Sequence, residues 1–459
     1  MSMPGLRQEH GEGKAMTLWE RILQGVTAFS LETIIGTVAA VLGARLVFQY
    51  LPIADYGQLA LFLSFYATGR VFLSFDLGRI LIAEIARARG TGELGWARFL
   101  ISRFSMFSLT MGTLLLFLFV GIGVRQGEML LWSAMGVYLW LTALNTSARA
   151  LLHGTTRYRR LAAQSITASL GLLTVRATLP WWWSGERLSG VALTYPLMEL
   201  ATALASVYLA RAAWLELKES STTAYNYRNL LSLFAQKGVY ATLSIPVQKL
   251  ASQLPIWFLN AMVGDVGVGA FAAADRAYHL IFTFFASTET TLFPLVSELA
   301  HIDTERLRVA LRQAQKYTFW LGLIVAVVGN ATASWVMLLI AGEQYARAIP
   351  LLRLLLWGLL LHAFSQSQRP IFYAIGKQKW LFVTSLLSTA IECALLFIGI
   401  GLVGTIGAAW GVLLRSCAFV TIGYILIRRL APGLWIDPRG ILKVEEFDLR
   451  LWRGLWGRR

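Results

Sequence analysis

The sequence predicts an all-α polytopic membrane protein, with about twelve transmembrane helices in two six-helix lobes related by a parallel pseudo-twofold repeat. Three observations predict it. First, 56% of residues are hydrophobic and only 14% are charged, with a mean hydropathy of +0.59. Soluble domains carry about a quarter charged residues. Second, basic residues gather in alternate connections between apolar runs. Third, one pattern occurs twice, as LPIADYGQLALF at 51–62 and AMVGDVGVGAFA at 261–272, so that Asp55, Gly57 and Ala60 fall on Asp265, Gly267 and Ala270 at one constant offset. Each copy closes a long apolar segment, makes an Asp-x-Gly turn and opens another. A helical hairpin thus recurs at mid-chain.

A span needs about 20 apolar residues. The chain offers such segments near 25–50, 57–84, 100–123, 129–151, 162–182, 189–211, 232–262, 267–297, 317–340, 348–374, 380–402 and 405–427. The first pair and the seventh and eighth are long enough to tilt or to protrude from the bilayer. Residues 1–20 are polar and lack the apolar core of a cleaved signal peptide, so the first span is expected to stay.

The connections alternate in character. One set holds Arg7, Lys14 and Arg21; then Arg87, Arg89 and Arg98; then Arg157, Arg159 and Arg160. It continues with Lys218 and Arg228, with Arg306, Arg308 and Arg312, with Lys377 and Lys379, and ends in the tail from Arg428. The other set is short and nearly uncharged, around Asp55, Arg125, Arg187, Asp265, Glu343 and Gly404. Such strict alternation places both termini in the cytoplasm of a cell (inner) membrane protein. The net charge of +16 is therefore an orientation signal, and its short clusters between apolar runs argue against nucleic acid as a partner.

The boundaries give a cytoplasmic N-terminus (1–24), an N-terminal six-helix lobe (25–215), a polar linker (216–228), a C-terminal six-helix lobe (229–428) and a basic cytoplasmic tail (429–459). An even number of spans in each half inserts both halves in the same orientation. A weaker echo supports the repeat: NTSAR at 145–149, followed by Gly154 and Arg157, answers SQSQR at 365–369, followed by Gly376 and Lys379. Trp452, Trp456 and their flanking arginines suit either a segment lying on the anionic inner leaflet or a disordered basic tail.

An Arg, Lys or Asp facing lipid at mid-bilayer costs about 2.5–3.5 kcal/mol on insertion scales. Glu32, Arg70, Asp76, Arg79, Lys249, Asp275, Arg276, Glu392 and Arg415 fall well inside the spans, so they are expected to face an interior, paired or hydrated. Asp76 with Arg79 (one turn apart), and Asp275 with the adjoining Arg276, are candidates for structural ion pairs. Arg70, Lys249 and Arg415 have no acid within a helical turn and are candidates for an unpaired cationic cavity. Arg45, Arg176 and Arg369 lie nearer span ends, where snorkelling is the cheaper explanation. A cavity richer in Arg and Lys than in acids suits an anionic cargo, particularly a diphosphate, which Arg binds in bidentate fashion. Glu32 and Glu392 are isolated carboxylates, candidates either for proton coupling or for a hydrogen bond to a neighbouring Ser or Thr. Pro246 and Pro255 interrupt the seventh span around Lys249, and Pro294 sits late in the eighth.

Catalytic constellations are not found. His10, His153, His279, His301 and His362 are scattered without metal-ligand spacing, and Cys393 and Cys417 lie in apolar runs without a CxxC. No GxxxxGK[ST] loop occurs. The chain is therefore expected to be neither an enzyme nor a cofactor or metal protein. His279 and His362 are expected to be pore-facing or packed.

The hairpin GARLVFQYLPIADYGQLALF, the following FDLGRILIAEIAR (75–87) and the mid-chain LNAMVGDVGVGAFAAADRAYHL (259–280) resemble the polysaccharide transporter branch of the multidrug/oligosaccharidyl-lipid/polysaccharide (MOP) exporter superfamily, the Wzx-type O-antigen flippases. The resemblance covers most of the chain, and its motifs are loose. It implies a two-lobed, V-shaped bundle that carries undecaprenyl-diphosphate-linked oligosaccharide from the inner to the outer leaflet by alternating access. It also implies a cationic lumen, which Arg70, Lys249, Arg276 and Arg415 would supply here, and a working monomer. A polysaccharide polymerase or chain-length regulator is a candidate partner. Lipid II flippases of the superfamily usually have more helices than the dozen expected here, which argues against that role. The alternative is a proton- or sodium-coupled small-molecule antiporter of the multidrug type. Its mostly cationic cargoes call for an acid-dominated cavity. An O-antigen polymerase or ligase would need a sizeable outer loop, and every outer loop expected here is short.

Overall fold

The computed structural model describes residues 18–74, 77–155, 157–218, 239–299 and 304–436. Among the described residues, each expected span coincides with one helix or with consecutive helical pieces. The first half contains α1 (Leu18–Tyr50), α2 (Ile53–Ser74), α3 (Gly78–Thr91), α4 (Leu94–Gln126), α5 (Met129–Gly154), α6 (Tyr158–Trp182) and α7 (Arg187–Lys218). The second contains α8 (Val239–Ala251), α9 (Leu254–Met262), α10 (Asp265–Leu299), α11 (Thr304–Ile340), α12 (Ile349–Leu356), α13 (Gly358–Ser365), α14 (Gln368–Ala374), α15 (Gln378–Val403) and α16 (Thr405–Leu430). Among the described residues, 7 stretches are apolar and long enough to cross a bilayer on their own. The remaining expected spans are broken into shorter pieces or are richer in polar side chains. Phe117 is 70% exposed and Leu402 78% exposed, as suits side chains that lipid covers.

Proline explains one break. α8 carries Pro246 and stops at Ala251, and α9 restarts with Pro255 in its first turn, where a missing N–H costs nothing. The repeated Asp-x-Gly pattern is placed one turn later than expected. The first turn is made by Leu51 and Pro52, and the second by Val263 and Gly264, whose φ of 88° favours glycine. Asp55 and Asp265 instead occupy the first turns of α2 and α10, where a carboxylate complements the helix dipole.

The glycines of the pattern bring the two halves together. A Cβ on Gly57 would stand 2.0 Å from the Asp265 carbonyl oxygen, and one on Gly269 would stand 2.0 Å from that of Ile53. α2 and α10 therefore cross backbone to backbone, as small residues permit inside a membrane. Side chains then tie this end of the bundle. Gln58 donates to Asp265 (2.9 Å), Trp257 to Ser64 (2.9 Å), Tyr345 to the Leu51 carbonyl (2.9 Å) and Gln344 to the Phe48 carbonyl (2.6 Å). Gln344 and Tyr345, in the 3-10 turn Glu343–Ala348, thus satisfy carbonyls that the end of α1 leaves open. The rings of Phe48, Tyr56 and Tyr345 pack together, with centroids 4.7–5.8 Å apart.

One apolar core runs through both halves at this hairpin end, from Phe48 and Leu59 to Leu352 and Ile400. At the opposite, basic end each half keeps its own cluster. One gathers Ile85, Trp96 and Leu161; the other gathers Leu311, Phe372 and Ile427. Among the described residues the architecture is two-lobed, with one shared core at the hairpin end and separate cores at the basic end.

Candidate functional site

The second half encloses a cavity of about 470 Å³ between α8, α10, α13, α14 and α16, within the roughly 300–1,000 Å³ common for small-ligand sites. Arg369, Arg415, His279 and His362 line it with Gln248, Tyr278 and Phe282; among the described residues, no carboxylate does.

Each of these basic side chains is held by a separate device. The tenth span is broken at Trp357 and again at 366–367 into α12, α13 and α14. Gln368 bridges the second break by donating to the Val420 carbonyl (2.9 Å), in space left by Gly423, where a Cβ would stand 2.1 Å from its Oε1. The neighbouring Arg369 donates to Gln248 Oε1, and Gln248 in turn donates to Ser385 Oγ at 2.8 Å. Arg415 lies with Nε 3.2 Å from Glu392 Oε2, the arginine side chain 17% exposed and the carboxylate 0%. His279 Nε2 is 3.5 Å from Asp275 Oδ1, and His362 packs edge-on against Phe282 with centroids 4.7 Å apart.

The structure redistributes the residues that the sequence singles out. Arg415 and Glu392, each expected to stand alone, are joined, because α15 and α16 pack antiparallel and bring the two face to face. Asp275 pairs with His279, one turn on, rather than with Arg276, which points to the exposed side of α10. Lys249 is exposed in the last turn of α8, while its neighbour Gln248 lines the cavity. Arg70 is exposed on α2. The Asp76–Arg79 pairing, residues 1–17 and 437–459 of the terminal tails, residues 219–228 of the linker and the surroundings of Pro294 lie outside the described residues.

Snorkelling fits Arg45, which is exposed, but neither of the other two arginines assigned to it. Arg369 lines the cavity, and Arg176 lies 4.8 Å over the Tyr195 ring, beside Gly43. Arg176, Asp275 and Arg276 all act electrostatically on the buried Tyr56, so charges from both halves converge near the first turn of α2.

The first half holds a second polar group. Asn145 donates to Glu199 (2.8 Å), Ser206 to Asn145 (2.6 Å), and Arg149 to Ser165 (3.1 Å). Glu32, isolated in sequence, lies within electrostatic reach of Arg149, together with Glu199 and Arg70. The sequence reading passed over Glu199 although it stands in mid-span, the criterion that found the others. It also passed over Arg149, whose signal was the NTSAR and SQSQR echo, since Arg149 and Arg369 are the equivalent members of the two copies.

Residues 22–300 match the model of a family described as polysaccharide biosynthesis protein, and residues 241–398 match that of MatE. No curated protein matches by sequence. Among solved structures, the chain is similar to an inward-facing MATE-family multidrug resistance transporter of the MOP superfamily (TM-score 0.73, 17% identity, covering 89% of this chain and 98% of that one). Similarity to an outward-facing one is lower (TM-score 0.61, 18% identity, 88% and 96%). A MOP superfamily transporter from Pyrococcus furiosus, described as having a binding pocket of reverse polarity, gives a TM-score of 0.63 at 18% identity, covering 89% of this chain and 96% of that one.

Proposed function

The chain belongs to the polysaccharide biosynthesis protein family of MOP-superfamily transporters, and on that premise we propose that it flips a polyprenyl-diphosphate-linked oligosaccharide across the cell (inner) membrane. The observation that carries this reading is the cavity wall, with two arginines, two histidines and no carboxylate among the described residues. Paired guanidinium groups suit a diphosphate, whose oxygens take bidentate hydrogen bonds. A cationic drug would meet no carboxylate on that wall among the described residues.

In this reading the basic end and both termini are cytoplasmic, so the V opens toward the leaflet where the cargo is made. The lobes, 25–215 and 229–428, rock about the hairpin end. The sugar headgroup crosses in the cleft while the polyprenyl tail stays in lipid. Flipping of this kind needs no covalent chemistry and no cofactor, only unequal stabilisation of the two open states. One copy of the chain suffices, with a polymerase or chain-length regulator receiving the product.

The test is leaflet accessibility of a labelled undecaprenyl-diphosphate oligosaccharide in proteoliposomes. Wild type should equilibrate the label, and Arg369→Ala or Arg415→Ala should slow it roughly tenfold or more, since a hydrogen bond to a charged group contributes about 1.5–3 kcal/mol. Arg70→Ala, Lys249→Ala and Arg276→Ala measure the exposed cations in the same assay. The MatE match and the acids Glu32 and Glu199, both within electrostatic reach of Arg149, favour a second reading, an ion-coupled small-molecule antiporter. Proton-driven efflux of organic cations without any flipping of the label would establish that one instead.

A further inference from the structure

The cavity's Arg415 is already engaged from behind. Glu392 is fully buried and reaches it at 3.2 Å, yet neither carboxylate oxygen accepts a hydrogen bond among the described residues. The pieces packed against α15 are α8, α9, α14 and α16. Their ionisable groups with described side chains are Lys249 on α8, Arg369 and Tyr373 on α14, and Arg415, Cys417, Tyr424, Arg428 and Arg429 on α16; α9 has none, and α15 itself adds the exposed Lys379 in its first turn and Cys393 beside Glu392. Of these, Arg415 is the one at ion-pair distance. A buried pair held by charge alone is close to balance, because desolvation offsets most of the attraction. Removing one partner is costly, because it strands the other charge.

Resting on the diphosphate reading of the cavity, we infer that Glu392 and the incoming anion compete for Arg415, so that anion binding is coupled to protonation of Glu392. In the empty site Glu392 neutralises Arg415. In the loaded site the phosphate oxygens take the guanidinium, and the carboxylate, left without a counter-charge, accepts one proton from the solvent to form a neutral carboxylic acid. One ion pair is exchanged for another, and an O–H bond of a solvent hydronium breaks, leaving water, as the carboxyl O–H forms. Arg415 is compensated in both states, so it is an orphan charge in neither the empty nor the loaded cavity as the protein passes between the open states. Because the loaded site holds one more proton than the empty one, anion affinity rises as pH falls, by up to tenfold per pH unit.

The experiment uses the full chain in detergent with inorganic pyrophosphate as probe, titrated calorimetrically in buffers of different ionisation enthalpy to count protons. Polyprenyl diphosphate in nanodiscs, in a parallel arm, separates recognition of the lipid-linked group from recognition of free phosphate. Wild type should take up about one proton more per anion than Glu392→Gln. The variant should bind at least as tightly as wild type at alkaline pH, with a slope set by the probe's own ionisation. Infrared difference spectra of the wild type should gain a protonated-carboxyl band on adding the probe, a readout that needs no variant. Equal proton counts and equal pH slopes in wild type and Glu392→Gln, with no such band, would overturn the coupling and leave the diphosphate site standing. Absence of binding of either probe by wild type across the pH range would overturn the diphosphate site and the coupling with it.

Discussion

At the scale of single residues, two kinds of position carry the structure: cations in the second half's cavity and glycines where the halves cross. Gly57 has no room for a methyl group, because the obstacle is the Asp265 main chain and not a yielding side chain. Gly57→Ala should therefore push α2 and α10 apart and destabilise the protein by about 1–3 kcal/mol, seen as a lower melting temperature in detergent. An unchanged melting temperature would mean that the crossing is looser than described. The charges were legible in sequence as a set, but their pairings were not. Arg415 and Glu392 are 23 positions apart by subtraction of their numbers, and only the packing of α15 on α16 makes them neighbours. Asp275 and His279 were in reach of the sequence, one turn apart, but adjacency to Arg276 drew the assignment away. An i, i+1 pair on a helix points in different directions.

At the scale of elements, the sequence placed the spans well, because apolar length is a local property. It did not foresee that the tenth span would be three short helices. Two signals stood there all the same: Pro350 opens the first piece, and Pro370 lacks the N–H that the Gln366 carbonyl would accept at the second break. Side chains also bond at the second break, Gln368 and Gln366 to the distant Val420 and Ala314 carbonyls and Gln366 to the nearby Ala363 carbonyl. Those bonds also aim Arg369. Gly423→Leu, which takes the space that Gln368 occupies, should shift α14 and slow flipping about as much as Arg369→Ala, with the chain still folded by circular dichroism. Flipping at the wild-type rate would show that the position of Arg369 does not depend on this contact. The Asp-x-Gly pattern was read correctly as a repeated hairpin, though its residues start helices and cross helices instead of turning the chain.

At the scale of the whole molecule, the division of the apolar core sets how it can move. A single core at the hairpin end and separate cores at the basic end let the halves rotate without exposing either basic-end cluster. Gln58→Cys with Asp265→Cys, in a chain whose Cys393 and Cys417 are replaced by serine, should form a disulfide across the closed end. Oxidation should stop flipping, and reduction should restore it. Continued flipping under oxidation would mean that the lobes do not part there. The closed end has one further property. Every acceptor that Gln344 and Tyr345 reach is a main-chain carbonyl of Phe48 or Leu51. Replacing either side chain leaves its carbonyl in place, whereas one change at 344 or 345 deletes a donor. The latch is adjustable from one lobe alone, and the balance between the two open states can drift or be retuned through two adjacent positions while their partners stay fixed.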